Sequence, residues 1–471
     1  MTAVALFLSA AFAQSTMLPA PAATQRQTVI EHATVHTAVA DQAALTDAFV
    51  VLQGDRIVSV GQGAPRMIDG KPIAADALRL DGTGRHVTPA FISSATTLGL
   101  IEVQAVRATD DTSEFGPFHP EVSAWVAVNP DSNLFPVARL GGVLLAWVFP
   151  RGGQVCGETS LVRLNGWTNE QMTVVPDAGT FIQWPATEPA PTWYASTSAK
   201  EQERQRVNAL RRFDEFFDAA AAANRARTAD PSLPLDARYD RLADVLAGER
   251  PLLISAASAG QIESAVLWAT QRKLRPVIVG GQGAEAVADL LAQHQIPVIV
   301  LGTLHLPRFA HLPYDEPYSL PGRLATRGIR VAIACGDEPS NDRNIAHHAA
   351  MAAAFGMPRE QAIAAITRVP AELCGAADRY GTIAPARSAT LLLHSGDPLE
   401  VTSSVIGAWI DGSPVQLESH QTLLRDKYER KYRGDSQPAA QGTTPRAPQS
   451  APASAKPVTA PTAGPTAASP R

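Results

Sequence analysis

The sequence predicts an α/β protein: a TIM-like (β/α)8 barrel with a small β-sandwich domain formed from both ends of the chain. Three observations carry this. From residue 251 onward, short all-apolar runs alternate with helical patterns. Two segments rich in β-branched residues, one early and one late, bracket that alternation. The 471-residue chain, 45% hydrophobic and 18% charged, is long enough to bury a core of that size.

Taken in order, residues 1–13 read as a signal peptide. "MTAVALFLSAAFAQS" is an apolar run ending in the small-x-small pattern Ala11-Phe12-Ala13, too short to span a bilayer. Cleavage after Ala13 and a periplasmic or secreted location are expected. No later stretch is apolar enough for a membrane span. Residues 28–88 form the first part of the β-sandwich: "TVIEHATVHTA" and "AFVVLQGDRIVSVG" are β-branched runs, the second broken by a turn at Gly54-Asp55.

Residues 89–385 form the barrel. "GGVLLAWVFP" is a buried strand, and "SAKEQERQRVNALRRFDEFFDAAAAANRAR" has helical spacing with Leu210, Phe213, Phe216 and Phe217 on one stripe. Strands are expected in "PLLISAA", "RPVIVGG", "IPVIVLG" and "IRVAIACGD". Helices are expected in "GQIESAVLWATQRK", "GAEAVADLLAQHQ", "GRLATRG" and "NIAHHAAMAAAFG". All-apolar strands separated by helices imply parallel strands covered on both faces. Residues 386–433 return to the β domain through "SATLLLHSGDPLE" and "VIGAWIDGSPV" and close with a helix. Residues 434–471 are rich in Pro, Ala and Thr, lack apolar periodicity, and are expected to be disordered.

The net charge of −5, with no basic block, gives no footprint for nucleic acid. Cys156, Cys335 and Cys374 have no C-x-x-C spacing and define no zinc site. They read as small buried apolar residues, with one disulfide left open by the sequence.

In (β/α)8 barrels the site lies at the C-terminal strand ends, where an H-x-H pair on a strand aims two imidazoles at one point. Several stretches make the comparison specific: "GDRIVSVG", "VTPAFI" followed by "TLGLIEV", "GDEPSNDRNIAHHAAMAAAFGM", and "CGAADRYGTIAPARSATLLLHSGDPLE". With these the chain resembles the amidohydrolase superfamily, in its imidazolonepropionase-like exported branch, over roughly residues 28–433. The resemblance implies hydrolysis of non-peptide C–N bonds, such as cyclic amides, by a water on zinc or another divalent metal. It also implies ligands from an H-x-H on strand 1, His on strands 5 and 6, and an Asp on strand 8.

Carried over position by position, the strand 1 pair falls on Ala95 and Thr97, the strand 5 His on Ser255, and the strand 6 His on Gly280-Gly281. Only Asp337, in "IACGDEP", survives. A catalytic zinc takes about three protein ligands, which Ala, Gly and neutral hydroxyls do not supply. The expectation is therefore no metal or other cofactor.

Two replacements for that site are conceivable. His305 and His311, in the loop after the seventh strand, could converge with Asp315, Glu316 and Asp337. A thiol, Cys335 or Cys156, could act as nucleophile beside a histidine. His347-His348 are adjacent on a helix and point about 100° apart, so they read as ordinary helix residues. Arg343 is the nearest basic residue in sequence to Asp337 and is expected to pair with it.

The functional expectation is a catalytically degenerate amidohydrolase-family protein acting as a binding protein, as partner of an active relative, or as a homo-oligomer. The alternative is an active amidohydrolase with a site rebuilt near the strand 7 and 8 loops.

Overall fold

The computed structural model describes residues 26–65, 67–68, 71–189, 197–308, 312–336 and 338–434. The expected signal peptide and tail, His311 and Asp337 lie outside them.

Strands from both chain ends share one hydrogen-bonded sheet. At its centre Thr28–Val35 pairs antiparallel with Leu45–Gln53 and parallel with His86–Pro89. Leu391–His394, from the late segment, pairs antiparallel with His86–Pro89 and with Val405–Ile410. Ile30, Val50, Ile57, Val87, Leu391 and Trp409 form its apolar core.

The second layer begins at Phe91–Thr96, one residue beyond His86–Pro89. Going round, Phe91–Thr96 pairs parallel with Val143–Val148, which pairs antiparallel with Ser160–Arg163. The preceding residues Val155–Glu158 pair antiparallel with Thr180–Gln183. From there the order Thr180–Gln183, Pro251–Ala256, Arg275–Gly280, Val298–Leu301, Val331–Ala334 is parallel throughout. The strands expected at 143–148, 251–256, 275–280, 298–301 and 331–334 are all present. The 155–163 segment departs from an all-parallel barrel: it runs antiparallel to both neighbours and passes between two sheets at Thr159.

No ladder joins Val331–Ala334 to Phe91–Thr96 among the described residues. Instead, the Ala365 carbonyl accepts from Ile333 N–H at 2.9 Å and the Ile366 carbonyl from Ile92 N–H at 2.8 Å. A loop after the Arg359–Ala364 helix thus satisfies backbone groups that a strand pair would otherwise satisfy.

Alternate residues of these strands enter two cores. One set, including Leu144, Ile182, Leu252, Ile254, Ile278, Val298 and Ile333, packs with helix residues such as Ile262, Val266, Ile345 and Ala349. The other set faces inward as Ile92, Leu145, Trp147, Phe181, Leu253, Val277, Val279, Ile299, Ala332 and Ala334. Val369, Ala371, Leu373 and Tyr380 join this inner set from the segment that follows the strands.

The long helix Ala199–Ala229 buries Phe213, Phe216 and Phe217, the stripe read from its spacing, and Ser198 caps it by accepting from Glu201 N–H. One expectation is corrected. Residues 316–321, read as loop, begin the helix Glu316–Thr326, with Pro317 in its first turn and Pro321 inside. Proline in the first turn costs nothing there, because those N–H groups lack intrahelical partners anyway.

The helix His420–Arg433 belongs to a second compact unit and buries none of its residues. Among the described residues no helix is long and apolar enough to cross a membrane.

Candidate active site at the strand ends

Ala95 sits where a β-bulge interrupts its strand. The register steps from Ser93 opposite Ala146 to Thr96 opposite Val148, leaving one extra residue on the first strand. Ala95 occupies it with φ at +52°, a conformation that a non-glycine residue adopts at a cost. It joins the inward-facing core. Thr97 lies past the strand end, buried, its carbonyl accepting from Leu100 N–H. The alternation that would set Ala95 and Thr97 on one face does not run through the bulge.

Ser255 is half-buried, level with Gln183 and Val279 on the neighbouring strands. At Gly280 and Gly281 there is no space for a side chain. A Cβ on Gly280 would stand 2.7 Å from the Ala256 carbonyl oxygen, and one on Gly281 2.5 Å from Val298 Cγ1. Both glycines have positive φ, and Gly281 N–H donates to Ala256 O. The chain at the strand 6 end is closed down onto its neighbours.

Aromatic rings occupy the interior at this level. Trp147 and Phe149 meet edge to face with centroids 5.1 Å apart, and Phe149 meets Phe181 in the same way at 5.0 Å. Trp147 is fully buried, and its indole N–H donates to Thr159 Oγ1 at 2.9 Å. Thr159 in turn donates to the Gly179 carbonyl. The residue at which the 155–163 segment changes sheets therefore also holds the tryptophan. These rings were legible only as apolar letters in "LLAWVFP" and "TFIQW"; their convergence is tertiary.

Of the replacement residues, His311 and Asp337 lie outside the described residues, and the others take up the following positions. His305 is half-buried and its Nδ1 lies 2.9 Å from its neighbour's carbonyl, Leu306 O. Asp315 takes the position before the 316–326 helix, with its backbone carbonyl accepting from Ser319. Cys335 is buried in the outer core against helices, its thiol 3.7 Å from the Asp342 carbonyl oxygen. Cys156 is buried in the inner core, and burial pushes its thiol up, away from the thiolate a nucleophile needs. Among the described residues no disulfide joins these cysteines. Arg343 donates to the Ser340 carbonyl. His348 is buried with Nδ1 accepting from Thr303 N–H at 2.9 Å, tying its helix to the strand 7 end, while His347 is exposed. Among the described residues no three His, Cys, Asp or Glu side chains lie close enough to hold one metal ion.

Two buried carboxyls escaped the sequence reading. Asp342, on the turn Pro339–Asn344, accepts from Thr96 Oγ1 at 2.6 Å, and burial pushes it up to about 7 against the opposing effect of the Thr96 and Ser93 hydroxyls. Glu158 accepts from Thr180 Oγ1 at 2.7 Å and is likewise pushed up to about 7 by burial. Among the described residues its other oxygen has no hydrogen-bond partner. Asp342 fastens the end of Phe91–Thr96 to the segment following Val331–Ala334, across the gap in the ladder.

Beside the aromatic rings, a cavity of about 600 Å³ opens among the loops that follow the first strands. Arg107, Asp111, Glu121, Trp125, Cys156 and Asp177 are among its walls. Asp177 is neutralised by Arg241 at 2.9 Å, and Ser123 donates to its other oxygen.

No family model matches the chain. Its sequence is 22% identical over 403 residues to the amidohydrolase tasK of Hapsidospora irregularis, a match covering 76% of this chain and 39% of that protein. The chain thus spans about two-fifths of the length of that curated relative. Its fold is similar to that of an amidohydrolase from Thermotoga maritima, with a TM-score of 0.69, 22% identity, and coverage of 83% of this chain and 99% of the other. The fold is shared with an amidohydrolase. Phenylurea hydrolase B is a more distant structural neighbour, with a TM-score of 0.50, 15% identity, and coverage of 83% and 97%. Within this fold, the strand ends carry Ala95, Ser255 and two glycines around an aromatic interior.

Proposed function

We propose that this amidohydrolase-superfamily chain has given up its metal centre and binds a ligand at the barrel mouth without hydrolysing it. The observation that carries the reading is the edge-to-face Trp147–Phe149–Phe181 cluster in the interior at the strand ends. A divalent metal needs several strong ligands converging on one point and room for a water between them. Ala95 offers no donor atom. Gly280 and Gly281 leave no room even for a Cβ. The described residues therefore do not fit the metal that the family implies, and no hydrolytic step is routed through one. The cavity walled by Asp111, Glu121 and Trp125 supplies the concave, partly polar surface that a small ligand requires.

The test is elemental analysis and calorimetry on tag-free full-length protein. Well under one equivalent of zinc, manganese, iron or nickel is expected, with no rise in melting temperature on adding them, because a ligand stabilises only a state that binds it. A panel of cyclic amides, phenylureas and dipeptides should show no turnover. Stoichiometric metal lost on His305→Ala or Asp337→Asn, together with turnover of any panel member, would replace this reading with an active hydrolase rebuilt near the strand 7 and 8 loops.

A further inference from the structure

We infer that the helix His420–Arg433 docks the protein on an anionic lipid surface, lying along it on a face of leucine, tyrosine and lysine. The helix has 14 residues and buries none of them. Helix residues four apart share a face. Two adjacent rows follow that spacing: Leu424, Tyr428 and Tyr432 in one, Leu423, Lys427 and Lys431 in the other. Leu423 is 50% exposed and Tyr432 82%. An isolated helix of this length is marginal in water. A surface that covers the two rows therefore also stabilises the helix.

The charges sort by side. Away from the two rows, Glu429 pairs with Arg433 at 3.0 Å and lies 3.9 Å from Arg425, which pairs with Asp426 at 2.8 Å. Among the described residues no carboxylate lies within ion-pair distance of Lys427 or Lys431. Their ammonium groups stand 5.7 and 5.8 Å from the ring centroids of Tyr428 and Tyr432. Arg430, three residues on from Lys427, flanks the lysine row and donates to the Asp426 backbone carbonyl. The apolar face thus carries cations and no acid.

That pattern selects the occupant. A second copy laid on this face would bring lysine rows together, while its carboxylates stand on the far side, engaged with arginine. Residues 435–471 carry Asp435 as their only acid, against Arg446, Lys456 and Arg471, so they supply no countercharge either. An anionic bilayer meets both needs, with headgroup charge for the lysines and an apolar boundary for the leucines. Tyrosine seats its ring at that boundary with the hydroxyl in water, and the long lysine stems reach past it to the headgroups. At 1.5 Å per residue the helix is about 21 Å long, short of the ~30 Å hydrocarbon core, so it lies in the plane of the interface. This docking is independent of what the barrel mouth binds.

The experiment is cosedimentation of the full chain with vesicles, read together with hydrogen exchange. Vesicles of phosphatidylglycerol and phosphatidylcholine in equal parts should bring the protein down at low salt; vesicles of phosphatidylcholine alone should not. Added salt should release it, because the attraction is screened. Lys431→Gln should weaken partitioning about fivefold, and Lys427→Gln with it roughly 25-fold, about fivefold for each cation removed from the surface. Arg433→Gln removes one charge from the opposite side and should cost much less. Amides of 420–433 should gain protection only when anionic vesicles are added. Equal losses for Lys431→Gln and Arg433→Gln, or binding indifferent to lipid charge, would overturn the proposal. Absence of cosedimentation would overturn it in favour of an acidic protein partner. Protection of 420–433 that rises with protein concentration in the absence of lipid would overturn it in favour of a second copy. The exchange of the unaltered protein decides the matter even if a variant misfolds.

Discussion

Ala95, Asp342, Glu158 and Trp147 show how far single residues here depart from what their letters suggest. A buried carboxyl held near 7 favours its neutral form, so its folded value lies above its unfolded one. The unfolded chain then holds fewer protons than the folded one between roughly pH 4 and 7, and stability declines as pH rises through that window. Asp342→Asn keeps an acceptor for Thr96 and removes the ionisation. It should melt close to the unaltered protein at pH 5 and above it at pH 8, as read by calorimetry. Glu158→Gln should behave alike, since Thr180 keeps its acceptor. Trp147→Ala should cost about 3–5 kcal/mol in urea unfolding, because a fully buried ring leaves a cavity and Thr159 loses a donor.

At the scale of elements, the strand Arg275–Gly280 ends on two left-handed glycines pressed against the strands on either side. Gly281→Ala should destabilise by about 2–4 kcal/mol, from backbone strain together with the close approach to Val298. Gly281→His should yield little folded protein, because a larger side chain meets the same contacts. Denaturant melts of the alanine variant check this; a loss below 0.5 kcal/mol (roughly the noise of a surface substitution) would mean that the neighbouring strands yield. The antiparallel 155–163 segment and the Ala365–Ile366 bridge are departures of the same kind. Both satisfy backbone hydrogen bonds without following the regular parallel ladder.

For the whole molecule, the pairing of Leu391–His394 with His86–Pro89 joins residues some three hundred apart. Severing the chain at 89 and 385 would expose the apolar face around Val87 and Leu391 and remove the His36–Glu360 contact. A fragment spanning 89–385 should be insoluble or melt without cooperativity. A soluble fragment with a sharp calorimetric transition would show that the sheet is dispensable.

Composition and period alone determined the α/β class, the strands at 143–148 and 251–334, the aromatic stripe of the 199–229 helix, and the return of the late β segment. Each depends on spacing along one chain segment, and spacing is written in the sequence. Residue type alone also determined that Ala95, Ser255 and the 280–281 glycines are poor metal ligands. Tertiary structure decided the rest. The bulge at Ala95 depends on the register against Val143–Val148, and register is a property of two strands. The convergence of Trp147, Phe149 and Phe181 depends on three segments arriving at one interior point. Asp342 rose above its ordinary range only because Thr96 and the surrounding core closed over it. His36, His86 and Glu360 lie up to 324 residues apart and met only when the last β segment returned to the first. Contacts of that range reflect packing and burial, which no local pattern encodes.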